Sequence, residues 1–173
     1  MKYVIGAVFL LAGLGIAAAM IAGLVSANYE FNRDYGSYWS LGVKASTIEK
    51  KSEYVDKFVE ALDKSGLQGQ SNSLFFPTPD NSFDANFASL KTLQARLHEI
   101  KTMKPDSFEY QTAIQQITGQ EQDEAGEMLR EITGCWWKVH AYWLWNDLIS
   151  LSLILLAGIL LVISAVAFSA DEY

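Results

Sequence analysis

Hydrophobic and polar positions divide the chain into two long apolar runs with a polar, helix-patterned region between them. The first run covers residues 4–25 and the second covers residues 148–168, and neither contains a charged side chain. About 20 consecutive apolar residues cross the hydrocarbon core of a bilayer as a helix. The pattern therefore predicts two transmembrane helices.

The first run is longer than the roughly 7–15-residue core of a secretory signal peptide, which favours a retained anchor. Residues 25–27, Val-Ser-Ala, resemble a small-residue cleavage site, so a removed signal peptide is the alternative. Gly15, Ala19 and Gly23 fall four residues apart on one helical face, where small side chains let helix backbones approach closely in lipid. We expect this face to pack against the second run or against another chain.

Between the runs, apolar residues recur every three or four positions in three stretches, the period of a helix with one buried face. Each stretch begins near a capping-box pattern, in which an N-cap side chain precedes an acidic residue by three positions. The three patterns are Ser46 with Glu49, Asn81 with Asp84, and Asp106 with Glu109. The stripes that follow are Ile48, Val55, Phe58, Val59 and Leu62; Phe83, Phe87, Leu90, Leu93, Leu97 and Ile100; and Tyr110, Ile114, Ile117, Ala125, Met128, Leu129, Ile132 and Cys135.

These elements predict an all-α membrane protein in which a transmembrane hairpin brackets an antiparallel bundle of three or four helices. The helix count depends on residues 28–65, which either turn near residues 42–46 or form one long arm. The predicted divisions are a transmembrane helix at 1–27, a bundle outside the bilayer at 28–142, a second transmembrane helix at 143–168 and a tail at 169–173.

The connection over residues 66–81 lacks helical periodicity and is long for a loop in a compact domain, a property typical of functional or mobile loops. Pro77 and Pro79 exclude a helix there. Leu74, Phe75 and Phe76 are three large apolar residues in a row. They either fold back over the end of the bundle or form a docking point for a partner.

Aromatic residues cluster before the second apolar run, at Trp136, Trp137, Tyr142, Trp143 and Trp145. Aromatic rings with a polar tip favour the headgroup level of a membrane. We therefore predict that this cluster forms an interfacial belt.

Charge and composition exclude several chemical functions. The net charge of −7 argues against a nucleic-acid surface, which needs clustered Lys and Arg. Cys135 is the single cysteine, so no disulfide within the chain is possible. The acidic residues Glu124, Glu127 and Glu131 share one helical face and predict a solvated surface, with a weak cation site as the alternative. No catalytic, cofactor-binding or metal-binding motif is evident, so we predict no enzyme activity and no cofactor.

The expected function is that of a structural or accessory subunit, with membrane lipid and other membrane protein subunits, or copies of itself, as partners. The order of elements is also similar to the ligand-binding module of bacterial chemoreceptors, a resemblance of layout that implies a ligand pocket between helices and signalling through a partner. Lys2 favours a two-pass topology with both termini in the cytoplasm and the bundle outside it. Arg33, Arg130 and Lys138 favour the opposite orientation.

Overall fold

The computed structural model describes the backbone of residues 2–73, 76–141 and 148–169, and their side chains except those of 2, 3, 5, 118–123, 148–151 and 167–169. Every named element in these ranges is helical. Helix α1 covers Lys2–Phe31 and continues through a π-helical turn, Asn32–Gly36, into α2, Ser37–Lys44. The others are α3, Ile48–Asp63; α4, Phe83–Thr102; α5, Phe108–His140; and α6, Leu148–Ser169.

Helices α3, α4 and α5 each begin at a hydroxyl side chain that accepts a hydrogen bond from the backbone N–H three residues later, as N-cap residues do. Thr47 accepts from Lys50 at 3.4 Å, Ser82 from Ala85 at 3.3 Å and Ser107 from Tyr110 at 3.1 Å. The predicted N-caps Ser46, Asn81 and Asp106 were therefore wrong by one residue in each case.

The residues from Tyr29 to Trp136 form one compact unit, a four-helix bundle made by the end of α1 with α2, α3, α4 and α5. The chain turns at residues 45–47, and α3 then packs back along α2. Of the two layouts left open by the sequence, this is the one with four helices. Fully buried apolar side chains fill most of the core, among them Phe58, Leu62, Phe83, Leu90, Leu97 and Ile132.

The antiparallel order gives the bundle two distinct ends. Helix α1 enters at Phe31, α3 ends at Asp63 and α5 leaves at Trp136, so these three points share one end, which we call the entry end. The turn at residues 45–47 and the turn at residues 103–107 lie at the other end, which we call the far end. Along α5, the distance from Phe108 at the far end to Glu131 is about 35 Å at 1.5 Å per residue.

The second unit comprises Met1–Asn28 and Trp137–Tyr173, and it contains most of α1 together with α6. The two helices touch at Gly13, where an added Cβ would lie 3.1 Å from Leu161 and 3.4 Å from the Ala157 carbonyl oxygen. The described buried residues of this unit are all small: Gly6, Gly13, Gly23, Ala27, Ala141, Ala157 and Ser164. The exposed ones include most of the large apolar side chains: Val4, Val8, Leu11, Leu14, Ile21, Val25, Ile154, Leu155, Leu156, Ile159, Val162, Ile163 and Val166.

Within the described residues, one helix is long and apolar enough to cross a membrane, and it lies near the N-terminus in the stretch Gly6–Lys44. Of the most apolar 18-residue segment of this helix, 11% is buried, whereas the core helix of a soluble protein is mostly buried. The described apolar part of α6, Ser152–Val166, is shorter than a span. The prediction of a membrane helix is thus supported at α1.

Candidate interaction site

The connection between α3 and α4 is attached to the bundle from its first residues. Leu67 is fully buried in the core, and Gly66 and Gly69 on either side of it have φ values of +73° and +75°. These left-handed conformations favour glycine because it has no Cβ. The Gly69 N–H donates to the Asp84 carboxylate at 3.1 Å, which joins the connection to the first turn of α4.

Backbone hydrogen bonds then close the connection into a loop. The Asn72 N–H donates to the Asn81 carbonyl at 2.8 Å, and the Phe83 N–H donates to the Gln70 carbonyl at 2.9 Å. Inside this closure, the Asn81 side-chain oxygen accepts from the Ser71 hydroxyl at 2.6 Å and from the Thr78 N–H at 2.9 Å. The docked loop, as we call residues 66–82, is therefore ordered by its own polar groups wherever the structure describes it.

The docked loop rests on α5 at the entry end of the bundle. The Asn72 side-chain amide donates to the Glu131 carboxylate at 3.0 Å, and it lies so close to Gly134 that an added Cβ would overlap it. One residue further along α5, the Cys135 thiol is fully buried and lies 3.9 Å from the Asn81 carbonyl oxygen. Sequence analysis missed Asn72, Asn81 and Gly134 as anchoring residues.

Phe76 projects from the docked loop with 81% of its surface exposed. The fold-back interpretation is therefore wrong for this side chain, whereas Leu74 and Phe75 lie outside the described residues. The Phe76 backbone is held in place, because its N–H donates to the Ser73 hydroxyl at 2.9 Å and its carbonyl accepts from Asn81 at 3.4 Å. An ordered loop thus presents a large apolar side chain to its surroundings.

The entry end also contains an aromatic cluster formed by Phe31, Tyr35 and Trp136. The ring centroids lie 5.6 Å apart for Phe31 and Tyr35, 6.1 Å for Phe31 and Trp136, and 5.0 Å for Tyr35 and Trp136. Trp136 is 5% exposed, so it belongs to the bundle core and not to the predicted interfacial belt. Trp137 is 38% exposed, and its belt role stays a prediction; Tyr142, Trp143 and Trp145 lie outside the described residues.

The three small residues predicted to form a packing face on α1 differ in their burial. Gly15 and Ala19 are exposed, and no described atom lies within 4 Å of a Cβ placed on Gly15, whereas Gly23 is buried. The close approach to α6 occurs at Gly13 instead.

Polar side chains on the bundle pair mostly with neighbours at the surface. Lys57 hydrogen-bonds Glu53 at 2.6 Å, and this contact lowers the pKa of the Glu53 carboxyl. The His98 imidazole lies 2.7 Å from the Asp56 carboxylate on the exposed side of α3 and α4. Glu124 and Glu127 are exposed. No group of three or more His, Cys, Asp or Glu side chains is placed to hold a metal ion in the part of the chain that the structure describes.

Grooves run along the surface between α4 and α5. One of about 600 Å³ near the far end is lined by both apolar and charged side chains, including Arg96, Glu99, Met103 and Gln116. Another of about 350 Å³ lies between Asp80, Asn86, Glu127 and Arg130 near the entry end. Both open to the surroundings, unlike the buried core beneath them.

The fold defines the class of this protein as a four-helix bundle continuous with an apolar N-terminal helix. The sequence matches no protein-family model, and it shows no significant similarity to curated proteins or to solved structures.

Proposed function

We propose that this protein is a non-enzymatic accessory or scaffold subunit of a membrane protein assembly, with its bundle held at the bilayer by a hairpin of α1 and α6. The observation that carries the proposal is the burial pattern of these two helices. Small residues such as Gly13 and Ala157 lie between them, and large apolar side chains such as Leu11 and Ile159 point outward.

This pattern suits lipid and not water. Soluble proteins rarely expose contiguous apolar patches of more than a few hundred Å². In a bilayer, outward Leu, Ile and Val side chains contact acyl chains, and small inward residues allow the helix backbones to pack closely. The pattern continues on α6, and the uncharged run at residues 148–168 is long enough to cross the hydrocarbon core. These features support α6 as the second span.

The assembly role is supported by the surface that α1 leaves open. Gly15 and Ala19 stay on the outward side, and a Cβ on Gly15 would meet no described atom within 4 Å. A helix of another subunit, or of a second copy, can approach closely there. We place both termini in the cytoplasm and the bundle outside it, in line with Lys2 beside the first apolar run.

The proposal is tested by solubilising membranes in a mild detergent, separating complexes on a native gel and identifying the proteins in the band that contains this chain. We expect it to migrate in a large complex with other membrane proteins or further copies. Gly15→Leu should disperse that complex because the larger side chain blocks close helix approach, whereas Leu11→Ile should leave it intact. A monomeric chain in mild detergent would contradict the proposal.

A second function, sensing of a small ligand, is favoured by the groove between α4 and α5. Its volume of about 600 Å³ falls within the range of ligand sites, about 300–1,000 Å³. Arg96 and Glu99 on its wall could bind a zwitterionic molecule. A ligand present at 100 times its Kd would stabilise the bundle by about 2.7 kcal/mol. An amino-acid and metabolite screen by thermal shift tests this function, with Arg96→Ala expected to abolish any shift found.

A further inference from the structure

We infer that Phe76 of the docked loop is a third membrane contact, which enters the headgroup region of the bilayer. The inference rests on the membrane anchoring proposed above. In this inference, Phe76 contacts lipid and not the partner protein that the sequence analysis considered.

The docked loop lies at the entry end of the bundle. Its anchors on α5 are Glu131 and Cys135, in the last turns before α5 leaves the bundle at Trp136. Helix α5 continues without a break to His140, which is about 7 Å beyond Cys135 at 1.5 Å per residue. Both chain connections to the apolar helices thus leave from the end of the bundle that carries the docked loop.

The apolar ring of Phe76 is exposed to the surroundings of the bundle. At 81% exposure it is among the most exposed large apolar side chains described, although its backbone is fixed by Ser73 and Asn81. An ordered backbone that holds a Phe side chain outward leaves the apolar ring hydrated, and lipid at the headgroup boundary removes that hydration. Pro77 follows directly and restricts the backbone further.

The docked loop carries no positively charged side chain of its own. No Lys or Arg lies within residues 66–82, and Arg130, which shares a groove with Asp80, pairs with Glu131 at 3.4 Å. The contact is therefore expected to depend on apolar insertion and not on anionic headgroups. Vesicles of phosphatidylcholine, which has no net charge, are therefore a sufficient test surface.

The chain offers a matched control. Phe108 is 80% exposed, nearly the same as Phe76, but it lies at the far end of the bundle, about 35 Å along α5 from Glu131. Leu11, which is 69% exposed on α1, reports on the proposed anchoring itself. Cys135 is fully buried, so brief labelling of the folded full-length protein marks a newly introduced cysteine, and the unsubstituted chain gives the background.

Spin labels are attached to Phe76→Cys, Phe108→Cys and Leu11→Cys, each reconstituted as the full chain in phosphatidylcholine vesicles. Collisions with oxygen, which concentrates in lipid, and with a water-soluble nickel chelate are then measured. We expect the labels at positions 76 and 11 to show an oxygen-to-nickel collision ratio several-fold above that at position 108.

Three results would overturn the inference. If position 76 matches position 108 while position 11 reports lipid, the loop faces water and the anchoring stands. If position 76 is shielded from both reagents, protein and not lipid covers Phe76. If position 11 reports water, the proposed anchoring itself fails, and the loop contact fails with it.

Discussion

Gly134 is the residue on which the attachment of the docked loop most depends. The Asn72 amide occupies the space that a side chain at this position would need, so Gly134→Ala must displace the loop anchor. Overpacking of this kind costs about 1–3 kcal/mol. Because 1.4 kcal/mol corresponds to a factor of ten, local opening should increase about 5- to 140-fold.

Cys135 gives a direct measurement of that opening, since its thiol is buried beneath the loop. Its labelling rate by a thiol reagent should rise about 5- to 140-fold in Gly134→Ala. Gly126→Ala is the matched control on the same helix, because nothing described lies within 4 Å of its added Cβ. That variant should stabilise α5 by about 0.8–1 kcal/mol and leave the labelling rate unchanged. Equal labelling rates in the two variants would show that Asn72 does not depend on Gly134.

Ser52 is a polar residue placed in an apolar core. It is fully buried, and its hydroxyl oxygen has no hydrogen-bond partner among the residues that the structure describes. An unsatisfied buried hydroxyl costs about 1–3 kcal/mol, so Ser52→Ala should raise the free energy of unfolding by about 1 kcal/mol or more. Ser89→Ala, on the exposed side of α4, controls for the gain in helix propensity, which is a few tenths of a kcal/mol. Denaturant unfolding in detergent measures both variants. An equal change in their free energies of unfolding would show that the buried Ser52 hydroxyl does not destabilise the bundle.

At the scale of the elements, the sequence predicted the helices well and their first residues less well. The apolar stripes of α3, α4 and α5 all contribute to the observed core. A helix with one buried face repeats its apolar residues every 3.6 positions, and this repeat can be read from the local sequence alone. The caps were displaced by one residue because hydroxyl or amide side chains occur at adjacent positions, as at Ser46 and Thr47. The capping-box pattern selected the residue three positions before the acid, whereas in the structure the acid lies within the first turn, at the second helical position, where it interacts with the helix dipole.

The displaced cap of α3 can be tested with neighbouring variants. Thr47→Ala removes the side chain that accepts from Lys50 and should lower the free energy of unfolding by about 1 kcal/mol. Ser46→Ala should change it by less than about 0.5 kcal/mol, since Ser46 is exposed and outside the helix. Thermal unfolding followed by circular dichroism compares the two. A larger loss in Ser46→Ala would restore the capping box that the sequence suggested.

The candidate site shows where sequence reasoning ends. The three consecutive apolar residues at 74–76 identified this loop as a candidate interaction site from the sequence. The exposure of Phe76 could be seen in the structure alone. The anchors were missed because Asn72 and Glu131 are 59 residues apart in the chain, and no local pattern reports such a contact. Trp136 was assigned to the membrane interface because composition cannot distinguish a belt residue from a core residue one turn away; its contacts with Phe31 and Tyr35 decide the matter.

For the whole molecule, the proposed function requires that the chain spans a membrane both before the bundle, at α1, and after it, at α6. The anchoring, the exposed surface of α1 and the lipid contact of Phe76 all follow from that arrangement. A chain with a single span at α1 would keep the same bundle but would place its two termini on opposite sides of the bilayer.

The most direct test is therefore the sidedness of three introduced cysteines, Lys2→Cys, Phe108→Cys and Asp171→Cys, labelled in intact and in permeabilised cells with a membrane-impermeant maleimide. Two spans predict that position 108 is labelled in intact cells, whereas positions 2 and 171 are both labelled only after permeabilisation. Labelling of position 171 on the same side as position 108 would show that α6 does not cross the membrane, and it would contradict the hairpin on which the account depends.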